Sequence, residues 1–368
     1  MRFLMLNWRD PRNPLAGGAE RVSLAYLAEL ARRGHEVFWF ANDFPGAARE
    51  ETIQSVRVIR GGGIGTSVYR AFRWYRKQPR FDLVIDQHHG IPWFAPWLCG
   101  TNCIAYIHEV LGPIWRVFYS WPLSAFGQWQ ERWIHWLYRN VPFWTVSQST
   151  RTGLEAHGVR QVTVLLNGTD TVALPELEEK PLTPPYRLVV VSRLAANKRV
   201  EHVIEVLRLL GERGIDARLT VVGGGESEPG LRRLAADSGL GEKTLFTGQL
   251  PEKEKNEQMR QAHFLVHTSV REGWGLNVIE ANAMGTPAAV YPVGGLVDST
   301  LAGETGLVSP AETPDSLATA LAAALQDSTQ YQRWRRQAWE RAKSLHWDLQ
   351  LRKTCDWLEL QARASRKG

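Results

Sequence analysis

Leu188-Val-Val-Val-Ser-Arg-Leu-Ala-Ala-Asn-Lys-Arg-Val-Glu-His-Val-Ile-Glu-Val-Leu-Arg-Leu-Leu-Gly-Glu-Arg-Gly-Ile-Asp-Ala-Arg-Leu-Thr-Val-Val-Gly-Gly-Gly225 decides the fold. Leu188–Val191 is an unbroken apolar run of strand length, Val200–Leu210 reads as a helix, and Arg218–Val222 is a second strand that stops at three glycines. Two apolar strands joined through a helix pair in parallel, because the helix supplies the crossover that parallel strands need. Leu245–Thr247, Phe264–His267 and Ala288–Tyr291 continue the pattern toward the C-terminus. The N-terminal half has the same logic. Residues 2–7 form a short apolar run, a helical pattern follows from Glu20 to Arg33, and Gly34 stands where a helix C-cap is expected. Val37–Phe40, Asp82–Asp86 and Cys103–Ile107 read as further buried strands.

Strands alternating with helices predict parallel sheets covered on both faces. The expected architecture is α/β, with two doubly wound Rossmann-like domains facing across a cleft. Between the halves, Ala173-Leu-Pro-Glu-Leu-Glu-Glu-Lys-Pro-Leu-Thr-Pro-Pro-Tyr186 carries four prolines and several charges, the composition of a linker. A chain of 368 residues suits two domains of ordinary size. Its 44% hydrophobic and 22% charged residues suit a globular protein. No stretch reaches the roughly 18 uninterrupted apolar residues of a membrane span, and the opening segment turns polar too soon for a secretory signal. Cys99, Cys103 and Cys355 are too few for a disulfide framework, so cytoplasmic residence is the expectation.

The most specific chemistry lies in Arg271-Glu-Gly-Trp-Gly-Leu-Asn-Val-Ile-Glu-Ala-Asn-Ala-Met-Gly-Thr-Pro287. Glu272 and Glu280 are separated by seven residues. Gly273 and Gly275 let backbone approach a ligand without a Cβ in the way. Val278 and Ile279 then open a helix whose first free N–H groups can receive phosphate oxygens. The segment resembles the E-x7-E signature of retaining glycosyltransferases of the GT-B fold, family 4. That resemblance implies that Glu272 contacts hydroxyls of a donor sugar and Glu280 the ribose of its nucleotide, with Trp274, Leu276 and Asn277 in the same donor segment. Asn277 replaces an aliphatic residue usual in the family, at a position where the backbone N–H is the expected contact.

Further matches extend the resemblance over almost the whole chain. In Val191-Ser-Arg-Leu-Ala-Ala-Asn-Lys-Arg199, Arg193 and Lys198 correspond to the family's basic pair, held to neutralise the diphosphate leaving group. Gly17 and Gly18 match a glycine pair whose amides face the diphosphate. His108, followed by Glu109, matches a histidine that contacts the donor sugar near the reacting carbon. His88 and His89 lack a convincing third metal ligand and read as acceptor-side or structural, as Glu109 reads as acceptor-side. Val146-Ser-Gln-Ser-Thr150, Asn167-Gly-Thr-Asp170 and Leu345-His-Trp-Asp348 resemble the family's interdomain crossings. They set expected domains of 1–167, with 347–368 returning to it, and 168–346.

The resemblance implies a UDP-, GDP- or TDP-type nucleotide-sugar donor, a hydroxyl acceptor of lipid-linked, glycan or natural-product type, and retention. No Asp-x-Asp triplet occurs, so the expected reaction requires neither metal nor cofactor, with Arg193, Lys198 and helix-terminal amides holding the diphosphate. A sugar-nucleotide epimerase, a phosphorylase and a non-catalytic nucleotide-sugar binder are the competing readings. Nucleic-acid partners are not expected, because no recognised binding motif accompanies the sequence pI of about 9.3.

The net charge of +6 is unevenly spread: residues 57–80 carry seven cations and no carboxylate, and eleven of sixteen tryptophans precede residue 145. The aromatic stretch Trp115–Arg139 has three readings: contact with anionic membrane at its inner face, a helix whose tryptophans fill the core, or stacking on a sugar or aromatic acceptor.

Overall fold

The computed structural model describes residues 1–63, 65–88, 90–112 and 114–364. The chain divides into two compact units. The first comprises Met1–Trp115, Ser120–Gly168 and Trp347–Gly368, and the second Arg116–Tyr119 and Thr169–His346.

The first unit holds an eight-stranded sheet of β1 (Arg2–Leu6), β2 (Glu36–Ala41), β3 (Glu50–Ile53), β4 (Val56–Arg60), β5 (Leu83–Gln87), β6 (Cys103–Tyr106), β7 (Phe143–Thr145) and β8 (Val162–Val164), in the order β3-β4-β2-β1-β5-β6-β7-β8. All pairs are parallel except the β3–β4 hairpin. Its helices are α1 (Gly18–Arg32), α2 (Ser67–Tyr75), α3 (Ala95–Leu98), α5 (Leu123–Leu137), α6 (Gln148–Ala156) and the C-terminal α14 (Trp347–Ala364), with α4 (Ile114–Phe118) at the division between the units. The helix expected from Glu20 begins two residues earlier. It ends as the sequence indicates: Gly34, at φ +85°, donates to Ala31 O, and His35 N donates to Leu30 O.

Strand register sorts the helices by face. Leu4 pairs with Phe38 and Val84, Asp86 with Ala105, and Ala105 with Phe143. In a parallel sheet such partners point the same way, and every second residue along a strand does too. Ala71 of α2 and Ala95 of α3 pack with Leu4, Phe38 and Val84, while Ile134 of α5 and Leu154 of α6 pack with Ala105 and Phe143. Helices α2, α3, α5 and α6 therefore form one layer on one face. On the other face Tyr26 of α1 meets Trp144 edge-on at 5.1 Å and Trp347 of α14 at 5.3 Å. Helix α14 is held further by Arg33, which binds Asp356 at 2.6 Å and Glu359 at 3.1 Å.

The cationic run from residue 57 is not wholly a surface feature. Arg60 is buried and makes a two-pronged bond to buried Asp10, at 2.7 and 2.8 Å, with Glu51 at 3.0 Å. The tryptophans of α5 do not fill the core: Trp129, Trp133 and Trp136 are exposed, because α5 turns Gly127, Glu131, Ile134 and His135 inward instead, and of the stretch's others Trp121 is exposed and Trp115 half-buried.

The second unit holds a six-stranded, wholly parallel sheet of β9 (Tyr186–Val191), β10 (Ala217–Val222), β11 (Thr244–Gly248), β12 (Phe264–His267), β13 (Ala288–Val290) and β14 (Gly306–Val308), in the order β11-β10-β9-β12-β13-β14. Its helices are α7 (Val200–Glu212), α8 (Glu228–Asp237), α9 (Glu252–Gln261), α10 (Leu276–Ala283), α11 (Leu296–Ser299), α12 (Pro314–Ala324) and α13 (Ser328–Ser344). The strand order reverses between β9 and β12 here, and between β1 and β5 in the first unit. Such switch points leave a crevice beyond the strands' carboxyl ends, where ligands of doubly wound sheets bind.

The Pro-rich segment before β9 is a strap rather than a loose linker. Leu174 N donates to Ala283 O, the buried Lys180 ammonium donates to Ala262 O at 2.7 Å and Thr286 Oγ1 at 2.9 Å, and Arg335 donates to Glu178 O. No helix among the described residues is long and apolar enough to cross a membrane.

Two stability predictions follow from these buried groups. Arg60→Met leaves the Asp10 carboxylate buried without its fork and lowers the unfolding free energy by about 3–5 kcal/mol; urea denaturation monitored in the first unit reads the loss. His263 accepts from Arg187 N at 2.8 Å and donates to Pro181 O, and burial, reinforced by Arg187, Lys180 and Arg335, pushes its pKa down to about 4. The unfolded chain then binds more protons between the ordinary histidine value of 6.5 and about 4. Stability conferred by neutral His263 is complete at pH 7 and is lost as pH falls through that window. His263→Asn is expected to flatten the pH dependence of the second unit's melting temperature between pH 7 and 5.

Candidate active site

The two loops that flank the β9/β12 switch point carry Arg193, Lys198 and Glu272. After β9 the chain runs through Ser192–Ala195 into a single 3-10 turn, Ala196–Lys198. The triple glycine after β10 clamps that loop. A Cβ on Gly223 would stand 1.9 Å from Ser192 O, and one on Gly225 would stand 2.3 Å from Leu194 O, so only glycine permits the approach. Leu194 N donates to Gly224 O and Ser227 N donates to Leu194 O. The loop after β12 fastens to the same turn, with Thr268 Oγ1 donating to Lys198 O and Arg199 O and Val270 N donating to Asn197 O.

This backbone lattice brings Lys198 Nζ to 2.6 Å from Glu272 Oε2, with His267 Nε2 at 3.3 Å from the same oxygen and 2.8 Å from Ser269 Oγ. Burial alone pushes the Glu272 carboxyl up, but the charge of Lys198 and the hydrogen bonds from His267 and Lys198 outweigh it and hold the group well below the usual carboxylate range. An ionised carboxylate only accepts hydrogen bonds, which suits it to the hydroxyls of a sugar. The Lys198 ammonium keeps further N–H bonds to give. Arg193 is exposed, and its guanidinium has no hydrogen-bond or ion-pair partner among the described residues.

Helix α10 starts at Leu276, two residues before the expected opening, with Gly275 as its N-cap at φ +79°. Its first-turn amides, those of Leu276 and Asn277, have no helical acceptor. Asn277 has a role the sequence did not disclose: its Nδ2 donates to Val191 O at 2.8 Å and ties α10 to the end of β9. Trp274 is buried, with the Arg341 guanidinium 6.0 Å from its ring, so its backbone rather than its ring is offered to a ligand. Gly273 is likewise buried. Glu280, buried on α10, accepts from Lys255 Nζ at 3.0 Å, and Lys255 also meets Glu252 at 2.8 Å.

In the first unit, the β1/β5 switch point gathers Asn7, Gln87 and His108. Gln87 Oε1 accepts from Asn7 Nδ2 at 3.1 Å and Ser23 Oγ at 2.9 Å, which directs its amide nitrogen toward His108 Nε2 at 3.1 Å. His108 Nε2 is thereby the acceptor and Nδ1 carries the proton. Glu109 follows it, half-buried. Gly17 and Gly18 are exposed at the start of α1, but the Gly17 amide expected to face a diphosphate donates to Glu20 Oε2 at 2.7 Å. This leaves Gly18 as the glycine amide of the pair available there. His88 is turned into the core of the first unit. It is buried against Tyr138 and Phe143, 3.5 Å from Asp86, which supports its structural reading. His89 lies outside the described residues.

Lys255, His267 and Gln87 were not singled out from the sequence. His267 and Gln87 are polar residues closing apolar strand runs, which is the available signal. Lys255 stands in a charged helix with nothing to distinguish it.

Known proteins give this geometry its context. The family described as Glycosyl transferases group 1 matches residues 176–341, and Glycosyltransferase Family 4 matches residues 16–172. The chain is 32% identical to the glycogen synthase of Mycobacterium tuberculosis over 381 aligned residues, which take in 94% of this chain and 91% of that one. The chain thus belongs to the family 4 glycosyltransferases and is a glycosyl-transferring enzyme. The sucrose-phosphate synthase from Thermosynechococcus elongatus superposes with a TM-score of 0.80 at 20% identity, over 99% of this chain and 100% of that one. HepE of Anabaena in complex with UDP-glucose gives 0.74 at 18% identity, over 98% and 99%. Both place the fold in the GT-B class.

Gly295 tests how the Glu272 loop is built. At φ +80° its Cβ would lie 2.0 Å from Glu272 O, whereas Gly303, at φ +76°, has open space around it. Gly303→Ala costs only backbone strain, about 1–3 kcal/mol. Gly295→Ala is expected to lower the melting temperature by clearly more, in side-by-side thermal unfolding.

Proposed function

We propose that the chain transfers a sugar from a nucleoside-diphosphate donor to a hydroxyl acceptor with retention of anomeric configuration and without a metal ion. The observation that carries this reading is the pairing of ionised Glu272 with Lys198 at the β9/β12 switch point, with Arg193, exposed and unpartnered among the described residues, on the same loop as Lys198. Glu272 accepts hydroxyls of the donor sugar. Arg193, Lys198 and the α10 amides take the diphosphate, and Glu280, steadied by Lys255, takes the ribose. Roles for His108 near the reacting carbon and for Gly18 at the diphosphate follow from the family resemblance alone.

As the anomeric bond breaks, negative charge grows on the leaving diphosphate and the sugar gains oxocarbenium character. Arg193 and Lys198 bind that charge more strongly in the transition state than in the ground state, which is what makes the contact catalytic. In the proposed retaining course the acceptor hydroxyl attacks from the face the diphosphate leaves. A phosphate oxygen takes its proton, the new glycosidic bond forms and the old one breaks. HepE, which shares the fold and was crystallised with UDP-glucose, makes UDP-sugars the first donors to assay.

A thermal-shift screen of UDP-, GDP- and TDP-sugars identifies the donor, followed by donor hydrolysis without acceptor in the presence of EDTA. Glu272→Ala is expected to abolish hydrolysis, and Arg193→Ala to lower kcat by about 10²–10³. NMR of the freshly formed anomer reads the stereochemistry. An inverted product defeats the same-face course, and hydrolysis that Glu272→Ala leaves intact defeats the site assignment.

A further inference from the structure

Helix α5 exposes what a helix packed on a sheet ordinarily hides. Phe126, Trp129, Trp133 and Trp136 are 61, 60, 45 and 51% exposed and recur every three or four residues, so they share the outer face. Trp121 and Leu123, just before them, are more than half exposed. A contiguous apolar surface of this kind marks an interaction site rather than the scattered exposure of an ordinary monomer.

The exposed charges of α5 and α2 are of one sign, and the one exposed carboxylate of neighbouring α6, Glu155, is paired with Arg151 at 2.7 Å. The single carboxylate of α5, Glu131, is turned inward, where it accepts from Leu111 N at 2.6 Å and Gly112 N at 2.9 Å. Arg132 is exposed on the outside, and the Arg139 guanidinium lies 4.2 Å from the Trp136 ring. The same layer continues through α3 to α2. Trp97 of α3, 51% exposed, meets Tyr138 edge-on at 4.9 Å, and the Tyr75 hydroxyl of α2 donates to Cys99 O just after α3. Helix α2 contains no acidic residue, and Tyr69, Arg70, Arg73, Arg76 and Lys77 are exposed along and just beyond it.

We propose that the α2–α3–α5 layer of the first unit docks on an anionic lipid bilayer, with the α5 tryptophans and Phe126 in the head-group region and the arginines on lipid phosphates. Indole rings favour the membrane interface, and clustered cations add attraction to anionic head groups that salt screens. A second copy of the chain is a poorer occupant, because apposed stripes set Arg132 and Arg139 against their own counterparts with no exposed α5 carboxylate to meet them. The contact is independent of which donor or acceptor the enzyme uses.

The full-length chain, sedimented with vesicles of phosphatidylcholine alone and of phosphatidylcholine mixed equally with phosphatidylglycerol, tests the idea. Binding is expected only to the mixed vesicles and falls as salt is added. Combined Trp129→Ser, Trp133→Ser and Trp136→Ser weakens partitioning at least about tenfold, and Arg70→Gln and Arg73→Gln by about fivefold each. All these side chains are exposed, so circular dichroism stays unchanged and loss of binding is not loss of fold. Absence of binding at low salt, or binding that the variants leave intact, overturns the proposal. Self-association that the tryptophan variants abolish, without vesicle binding, also overturns it and gives the stripe to a second copy.

Discussion

The ion pair between Lys198 and Glu272 is the constraint on which the second unit's active surface depends. It joins residues 74 positions apart in sequence, on loops leaving adjacent parallel strands. With side chains about one-fifth exposed, the pair is neither a freely solvated bridge nor a buried one. Its geometry is supplied by backbone: Gly223 and Gly225 pack against the loop that follows β9, and Thr268 pins the turn that bears Lys198. The ammonium then keeps the carboxylate charged where burial alone would favour its neutral form. Charge state and position are set together, before any ligand arrives.

Both units repeat one physical solution. Each places polar side chains where strand order reverses, because only there do successive crossovers go to opposite faces and leave the strand ends uncovered. In the first unit the result is neutral, a relay of Asn7, Ser23 and Gln87 that sets the proton of His108. In the second it is ionic. The asymmetry matches a division of labour in which charge is handled by the C-terminal unit.

The sequence disclosed what continuous apolar runs and close spacing can carry. Leu188–Val191 and Phe264–His267 were legible as strands because both faces are buried, and Glu272, Gly275 and Glu280 because one short segment contains them. The β3–β4 hairpin was silent: its strands mix charge with apolar residues, and its turn puts Gln54 and Ser55 at positive φ without the glycine or asparagine that normally announces one. The three residues of β14, with glycine first, are too short a run to show any periodicity. Lys255 and Gly295 could not be found because their meaning comes from partners brought close only by folding, and His267 showed only as a polar end to an apolar run. The aromatic stretch was legible as unusual, but which side of α5 faces the sheet depends on where Gly127 and Glu131 fall, and that is a tertiary fact.

The return of α14 to the first unit has a consequence for synthesis on the ribosome. Tyr26 of α1 meets Trp347, Trp144 of β7 meets Trp357, and Arg33 finds Asp356 and Glu359, only when residues 347–359 have been made. The second unit, continuous apart from Arg116–Tyr119, emerges complete while the N-terminal one still shows bare aromatic rings. The unit that is translated first is therefore the last to finish folding, and it is the one most exposed to aggregation while the chain is growing.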